Sequence, residues 1–200
     1  MVCRTFSPIK VTFVLLAGST IPFYFESPSI FYKTGGDKFL LRSGKILGIF
    51  ASILLMVQLF FVSNLKLMKD NVGLKKLYKY HKFNGVILLS LALIHPVFIL
   101  GAEHFVFFPV EYKYWPELAG GLLISVLFIF VVISYGQKKM GIPYKTWKVI
   151  HKLSAPILFV LLFMHVFNVS RTFESGVPFY ALCFLMGVSF ILYIRTFLKR

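Results

Sequence analysis

The chain has 200 residues, of which 58% are hydrophobic and 14% charged, and its mean hydropathy is +0.81. This composition excludes an ordinary soluble globular domain and indicates an integral membrane protein that contacts lipid. The formal net charge of +15 does not indicate a nucleic-acid partner, because the basic residues lie between hydrophobic runs, as they do in membrane loops. Cys3 and Cys183 are the only cysteines, so neither a disulfide framework nor a thiolate metal site is predicted.

Six apolar segments follow one another along the chain, each close to the roughly 20 residues that cross a membrane. No linker or composition shift divides them, so residues 1–200 are expected to form one domain. The first segment is short and also fits a signal peptide, but it lacks a clear cleavage site and is expected to remain. The predicted fold class is all-α, a bundle of six transmembrane helices at residues 11–25, 44–65, 82–102, 118–136, 149–169 and 178–198.

The distribution of charge predicts how this bundle is oriented in a membrane. Lysines are dense at residues 66–82 and 138–152, and basic residues also stand near both ends of the chain. Because short basic segments stay in the cytoplasm, both termini are predicted to be cytoplasmic. Asp70 is the one acidic residue on that side, and the other acidic residues are predicted to lie outside: Glu26, Asp37, Glu103, Glu111, Glu117 and Glu174.

Four histidines recur at one spacing in two of the predicted spans. His81, directly before the third span, and His95 within it are 14 residues apart, and His151 and His165 repeat that spacing in the fifth span. Fourteen helical residues rise about 21 Å and make nearly four turns, so both histidines of a span share a face. Because the two spans run in the same direction, the sequence predicts two level pairs, one near each side of the membrane.

Ionisable rings in hydrocarbon are costly and are by default functional candidates. A tetrahedral zinc site needs its ligands at one point rather than in two layers, and proton relays usually include carboxylates, which these spans lack. Haem iron accepts a histidine on each side. Two b-type haems, with His81 and His151 as the inner axial ligands and His95 and His165 as the outer ones, are therefore predicted; histidines that only pack between helices are the simpler alternative.

Cationic side chains near the histidines are candidates for binding the anionic haem propionates. Lys82 and Lys152 directly follow the inner histidines, although the positive-inside rule alone accounts for them. On the outer side, Arg42 and Arg171 are the better candidates, for propionates or for an anionic acceptor. Gly85 lies one turn after His81, and its missing side chain would allow a haem macrocycle to approach the helix closely.

Two motifs, "LYKYHKFNGVILLSLALIHP" and "YKTWKVIHKLSAPILFVLLFMH", resemble the third and fifth helices of the ferric reductase-like transmembrane domain. That family includes ferric-chelate reductases and the membrane half of NADPH oxidases. The resemblance implies the same ligand pairing and electron transfer from a cytoplasmic donor to ferric iron or dioxygen outside. Many relatives continue into a flavin- and nicotinamide-binding domain, whereas this sequence has no dinucleotide fingerprint. FAD and NAD(P)H are therefore expected only through a flavoprotein partner or a missing domain.

Three alternatives stay open. The chain is also similar to the haem-binding membrane subunit of periplasmic methionine sulfoxide reductase systems, although His81 argues for the two-haem group. Quinol-linked cytochrome b proteins also pair histidines at this spacing. From another class altogether, a non-redox transporter or scaffold would use the histidines for packing. The leading prediction is an oxidoreductase component that needs a separate electron donor.

Overall fold

The structure, a computed structural model, describes residues 8–63, 73–106, 111–169 and 171–198. Within these ranges the chain is all helical and contains no strand. Two short 3-10 helices, Tyr112–Tyr114 and Arg171–Phe173, lie beside the longer elements. The α-helices in chain order are α1 (Pro8–Tyr24), α2 (Pro28–Phe31), α3 (Gly35–Ser63), α4 (Leu74–Ala102), α5 (Trp115–Gly136), α6 (Tyr144–Val169) and α7 (Gly176–Leu198).

Five segments of the described chain are long and apolar enough to cross a membrane, which makes this a multi-pass integral membrane protein. They are Gly35–Leu59, Leu74–Ala102, Tyr112–Gly136, Tyr144–Val169 and Gly176–Arg195. The predicted first span, 11–25, falls largely on α1, which has 17 residues and contains Pro22. A helix of this length is short for a crossing of about 20 residues. The six-helix count and the cytoplasmic termini therefore remain predictions.

Helices α3 and α4 begin well before the predicted spans at 44 and 82. The extra residues of α4 include Lys75, Lys76 and Lys79, which hydropathy assigns to a loop. Hydropathy marks where the chain enters hydrocarbon, whereas helical hydrogen bonding continues into the polar interface. The predicted end of the second span, at 64 and 65, lies outside the described residues.

Small and aliphatic side chains from all five helices, α3 to α7, form the buried core. Helix α3 packs most extensively against α4, and it also contacts α1 and α7, while α5 packs against α6. By contrast, α4 and α6 come close to each other at no more than one or two positions. The buried core residues are Ala51, Leu54, Leu55, Met56, Leu88, Ala92, Leu123, Leu127, Leu158, Leu162, Leu182 and Met186. Helices α4 and α6 thus belong to one bundle but leave space between their backbones.

Two side-chain amides bridge α3 and α4 next to each other. Gln58 donates from Nε2 to the carbonyl oxygen of His81 at 3.0 Å, and Asn84 donates from Nδ2 to the carbonyl oxygen of Leu54, also at 3.0 Å. Such polar bonds stabilise helix association where lipid removes the hydrophobic driving force. The α3–α4 pair therefore forms a firm support for the side chains of α4.

Candidate functional site

The four histidines of the two predicted spans meet as two facing pairs. The ring centroids of His81 and His151 are 5.9 Å apart, and those of His95 and His165 are 6.4 Å apart. Because the earlier residue of α4 faces the earlier residue of α6, and the later faces the later, the two helices run in the same direction. We call His81 and His151 the lysine-side pair, after Lys82 and Lys152, and His95 and His165 the acid-side pair, after Glu103 and Glu117.

Backbone carbonyl groups fix both rings of the acid-side pair. His95 Nδ1 lies 2.7 Å from the carbonyl oxygen of Gly44, and His165 Nδ1 lies 2.8 Å from that of Pro116. A carbonyl oxygen only accepts hydrogen bonds, so each Nδ1 must carry a hydrogen and donate it. Since a charged imidazolium is costly among apolar helices, the ring is neutral and its Nε2 keeps a lone pair. This is the arrangement in which a histidine binds metal through Nε2.

Glycines provide the space in which these two rings lie. A Cβ atom at Gly48 would stand 2.9 Å from His95 Cε1, and one at Gly120 would stand 2.6 Å from both Cε1 and Nδ1 of His165. Real Cβ contacts are essentially never that short. In each case the glycine stands four residues after the residue whose carbonyl accepts the hydrogen bond, Gly44 or Pro116. Two unrelated helices, α3 and α5, thus hold the acid-side rings by the same construction.

The lysine-side pair is held differently. The indole of Trp147 stacks on the ring of His151, with centroids 5.1 Å apart and planes 16° from parallel. Ser134 Oγ lies 3.2 Å from His151 Nδ1 and accepts a longer hydrogen bond, 3.4 Å, from Trp147 Nε1. His81 has no such support, because its Nδ1 is buried with no hydrogen-bond partner. One ring of this pair is therefore oriented by side chains, and the other is not.

The histidine pairs fit haem better than a metal held by protein ligands alone. An imidazole nitrogen binds a metal at about 2 Å and the ring centroid lies about 1 Å further out, so two rings on opposite sides of one metal have centroids about 6 Å apart. Both observed separations allow this. Within the described ranges no three His, Cys, Asp or Glu side chains gather to hold an ion, which a structural zinc site would need. Haem iron can be held by two histidines from the protein, and the two helices that carry these histidines do not pack closely against each other.

The predicted cationic residues do not meet the histidines. Lys82 is exposed, with Nζ 4.4 Å from the centroid of the Tyr135 ring, and Lys152 and Arg171 are exposed as well. Arg42 already forms an ion pair with Glu26. Among the described contacts, none of these four cations forms a hydrogen bond, ion pair or ring contact with a histidine of either pair. Their binding of propionates stays a prediction, and Arg42 would have to share its guanidinium with Glu26.

The space beside Gly85, where the sequence predicted the approach of a macrocycle, is filled by a side chain of α3. A Cβ atom at Gly85 would lie 2.9 Å from Gln58 Nε2. The missing side chain therefore makes room for an amide of α3. A cleft for a macrocycle is not needed to explain this glycine.

Several residues of the site were missed by sequence reasoning, which looked for metal ligands and charges. The carbonyl of Gly44, the carbonyl of Pro116 and the hydroxyl of Ser134 act through ordinary groups that many helices contain. One signal was available: "GKILG" in α3 is a pair of small residues four apart, which marks close approach of membrane helices. The matching "PELAG" in α5 has no such general signature.

A family model described as "Ferric reductase like transmembrane component" matches residues 47–162, more than half of the chain. The match includes His81, His95 and His151 and ends three residues before His165. No curated protein and no solved structure matches the chain.

Proposed function

We propose, from the premise that this chain belongs to the ferric reductase-like transmembrane family, that it carries electrons across a membrane through two b-type haems. His81 and His151 would hold one haem, and His95 and His165 the other. The observation that carries the proposal is the pair of facing ring sets, 5.9 and 6.4 Å apart, on two helices that do not pack closely together. Packing alone does not explain why two such sets are needed.

The residues of the site would have two roles, to orient the haem ligands and to exclude water. Haem iron, when bound, supplies the chemistry by accepting and releasing one electron at a time. The carbonyls of Gly44 and Pro116 hold the acid-side rings so that each Nε2 would be free to bind a metal as a neutral ligand. Between the two histidine layers, Leu88 and Leu158 belong to the buried core and exclude water. The protein would therefore orient two redox centres and keep the space between them dry.

The direction of transfer rests on charge. The lysine-side pair lies near the basic segments that the positive-inside rule assigns to the cytoplasm. Electrons would enter there from a separate flavoprotein reductase and leave at the acid-side pair. Because two histidines would hold each haem, the acceptor, ferric iron or dioxygen, is proposed to take electrons at the acid-side face without becoming a ligand. The basic residues Lys82, Lys152, Arg42 and Arg171 are proposed to act on propionates or on the charged partners at each side.

Visible spectroscopy tests the proposal directly. Protein produced with an adequate haem supply and purified in detergent is expected to contain two haems per chain. Reduction with dithionite should then produce the sharp bands of six-coordinate b-type haem. A stable but colourless protein would contradict the proposal and favour a packing role for the histidines. A content of one haem would favour the single-haem membrane subunits.

Replacing Ser134 with alanine is expected to weaken binding of the lysine-side haem. The hydroxyl is the hydrogen-bond partner of His151 Nδ1, and loss of such a partner commonly costs about 10- to 100-fold in metal affinity. The measurement is the rate at which haem transfers to an excess of apomyoglobin. Ser125 is the matched control on the same helix, because its hydroxyl bonds only the carbonyl of Gly121, at 2.8 Å. Equal rates in Ser134→Ala and Ser125→Ala would contradict the assigned role.

A further inference from the structure

Two buried polar atoms without partners lie on residues that already contact each other. The amide of Gln58 donates from Nε2 to the backbone carbonyl of His81 at 3.0 Å. The other amide atom, Gln58 Oε1, is buried with no hydrogen-bond partner, and so is His81 Nδ1. Buried polar atoms are rarely left unpaired, because each has lost its bonds to water. An unpaired acceptor and an unpaired ring nitrogen on two residues that already contact each other therefore require an explanation.

The other three histidines show what is missing at His81. His95 and His165 donate from Nδ1 to backbone carbonyls, and His151 has the hydroxyl of Ser134. Metal-bound histidines almost always donate their second ring N–H to such a partner, which orients the ring and raises its basicity. His81 alone lacks one, although Gln58 Oε1 is an acceptor on the neighbouring helix.

We propose that Gln58 is the positioning residue of His81. When Nε2 of His81 binds iron, Nδ1 carries the hydrogen and donates it to Gln58 Oε1. The side-chain amide would then replace, at this ring, the backbone carbonyls that hold the acid-side pair. This inference rests on the proposed function, because it is the metal that fixes the hydrogen on Nδ1.

Gly85 supplies independent support for this role. It lies one turn beyond His81 on α4, and a Cβ atom there would be 2.9 Å from Gln58 Nε2. Any other residue at position 85 would press on the amide. The missing side chain at position 85 therefore leaves room for the Gln58 amide where it reaches α4.

Asn84 provides the matched control that separates positioning from helix packing. Its amide also joins α3 to α4, through a 3.0 Å hydrogen bond from Nδ2 to the carbonyl of Leu54. Both amides are part-buried, and both bonds run between a side chain and a backbone carbonyl. Only Gln58 reaches the residue that would bind iron. A general loosening of α3 from α4 should follow from either substitution, whereas an effect on His81 should follow from one.

The test measures the midpoint potential and the release of the lysine-side haem. His165→Ala serves as background, so that this haem is read alone, and the variants are Gln58→Leu, Gln58→Glu, Gly85→Ala and Asn84→Leu. In Gln58→Leu, release to apomyoglobin is expected to be about 10- to 100-fold faster. The potential should rise, because a less basic imidazole stabilises the ferric state less, by about 59 mV for each tenfold change in relative affinity.

Gln58→Glu distinguishes hydrogen bonding from volume. A carboxylate is a stronger acceptor than an amide, so the potential is expected to fall below that of the Gln58 protein while haem is retained. Gly85→Ala should move the potential in the same direction as Gln58→Leu. Asn84→Leu should leave it unchanged.

Three outcomes would overturn the inference. The first is equal shifts in Gln58→Leu and Asn84→Leu, the second is no shift in either Gln58 variant, and the third is a shift of the same sign in Gln58→Leu and Gln58→Glu. A wild-type protein that binds no haem would overturn the proposed function together with this inference. A protein with two haems whose lysine-side potential ignores Gln58 would overturn this inference alone.

Discussion

Replacing His165 with alanine is expected to remove the acid-side haem and leave the lysine-side haem in place. His165 and His95 face each other with ring centroids 6.4 Å apart, so a haem held by this pair would lose its ligand from α6. The lysine-side pair uses different residues about 21 Å of helix rise away, so it should keep its own haem. The measurement is haem content per chain with the dithionite-reduced spectrum, and the expected result is a fall from two haems to one.

The same variant should also stop transfer across a membrane. In liposomes that enclose ferricyanide, electrons from an external reductant are expected to reduce the internal ferricyanide through the wild-type protein and not through His165→Ala. His104→Ala is the control, because this histidine lies just beyond α4 with a side chain that is 79% exposed and near Asp37. Loss of both haems in His165→Ala, or of neither, would contradict the pairing. An equal loss in His104→Ala would indicate general damage.

A single methyl group at Gly120 is expected to have nearly as large an effect. The Cβ atom of an alanine there would lie 2.6 Å from Cε1 and Nδ1 of His165, so the ring must move. Movement breaks the 2.8 Å hydrogen bond to the carbonyl of Pro116. Since a lost partner of this kind costs about 10- to 100-fold in affinity and the ring is displaced as well, Gly120→Ala should lose most of its acid-side haem. Haem content after purification measures the effect.

Gly121 provides the matched control for this test. It is the next residue of α5, and a Cβ atom there meets nothing within 4 Å. Alanine favours a helix over glycine by about 1 kcal/mol at either position, so both variants should have an equally stable α5. Gly121→Ala is expected to retain two haems. If Gly120→Ala retains them too, then Gly120 does not set the position of His165. Gly48→Ala offers the same experiment on His95, where the contact would be 2.9 Å.

The long helices and the histidine spacing were readable from the sequence. Long apolar runs are helical in a membrane because the backbone has no water to bond, and five such segments are observed. The spacing of 14 residues in both His81–His95 and His151–His165 predicts two ligands on one face of each helix. The predicted family is confirmed by the match over residues 47–162. The apolar runs and the histidine spacing follow from local rules that a single segment obeys by itself.

The helix ends and the count of crossings were less readable. Hydropathy placed the start of the third span at 82, although α4 begins at Leu74. The sixth crossing depends on α1, whose 17 residues include Pro22. Membrane insertion of a short, interrupted segment is decided by its neighbours as well as by its own composition. Segment-by-segment reasoning does not include those neighbours.

The residues that hold the rings could not be identified from the sequence. Gly44 and Pro116 act through backbone carbonyls, which every residue has, and Gly48 and Gly120 act through the absence of a side chain. Gln58 and Gly85 become informative only when α3 is seen against α4. The sequence made Arg42 a candidate for a propionate, and only the packed structure shows that it also pairs with Glu26. Each of these roles is a relation between two helices.

The sequence by itself therefore determined that the chain lies in a membrane, which segments are helical and how far apart the candidate ligands are. Hydropathy and the 3.6-residue period are properties of a single segment. Only the tertiary structure decided which atoms hold each ring, and that three of the four rings have a partner while His81 does not. The physical reason is that a hydrogen bond or a close contact needs a distance between atoms of different helices. Those distances exist only after the helices have packed.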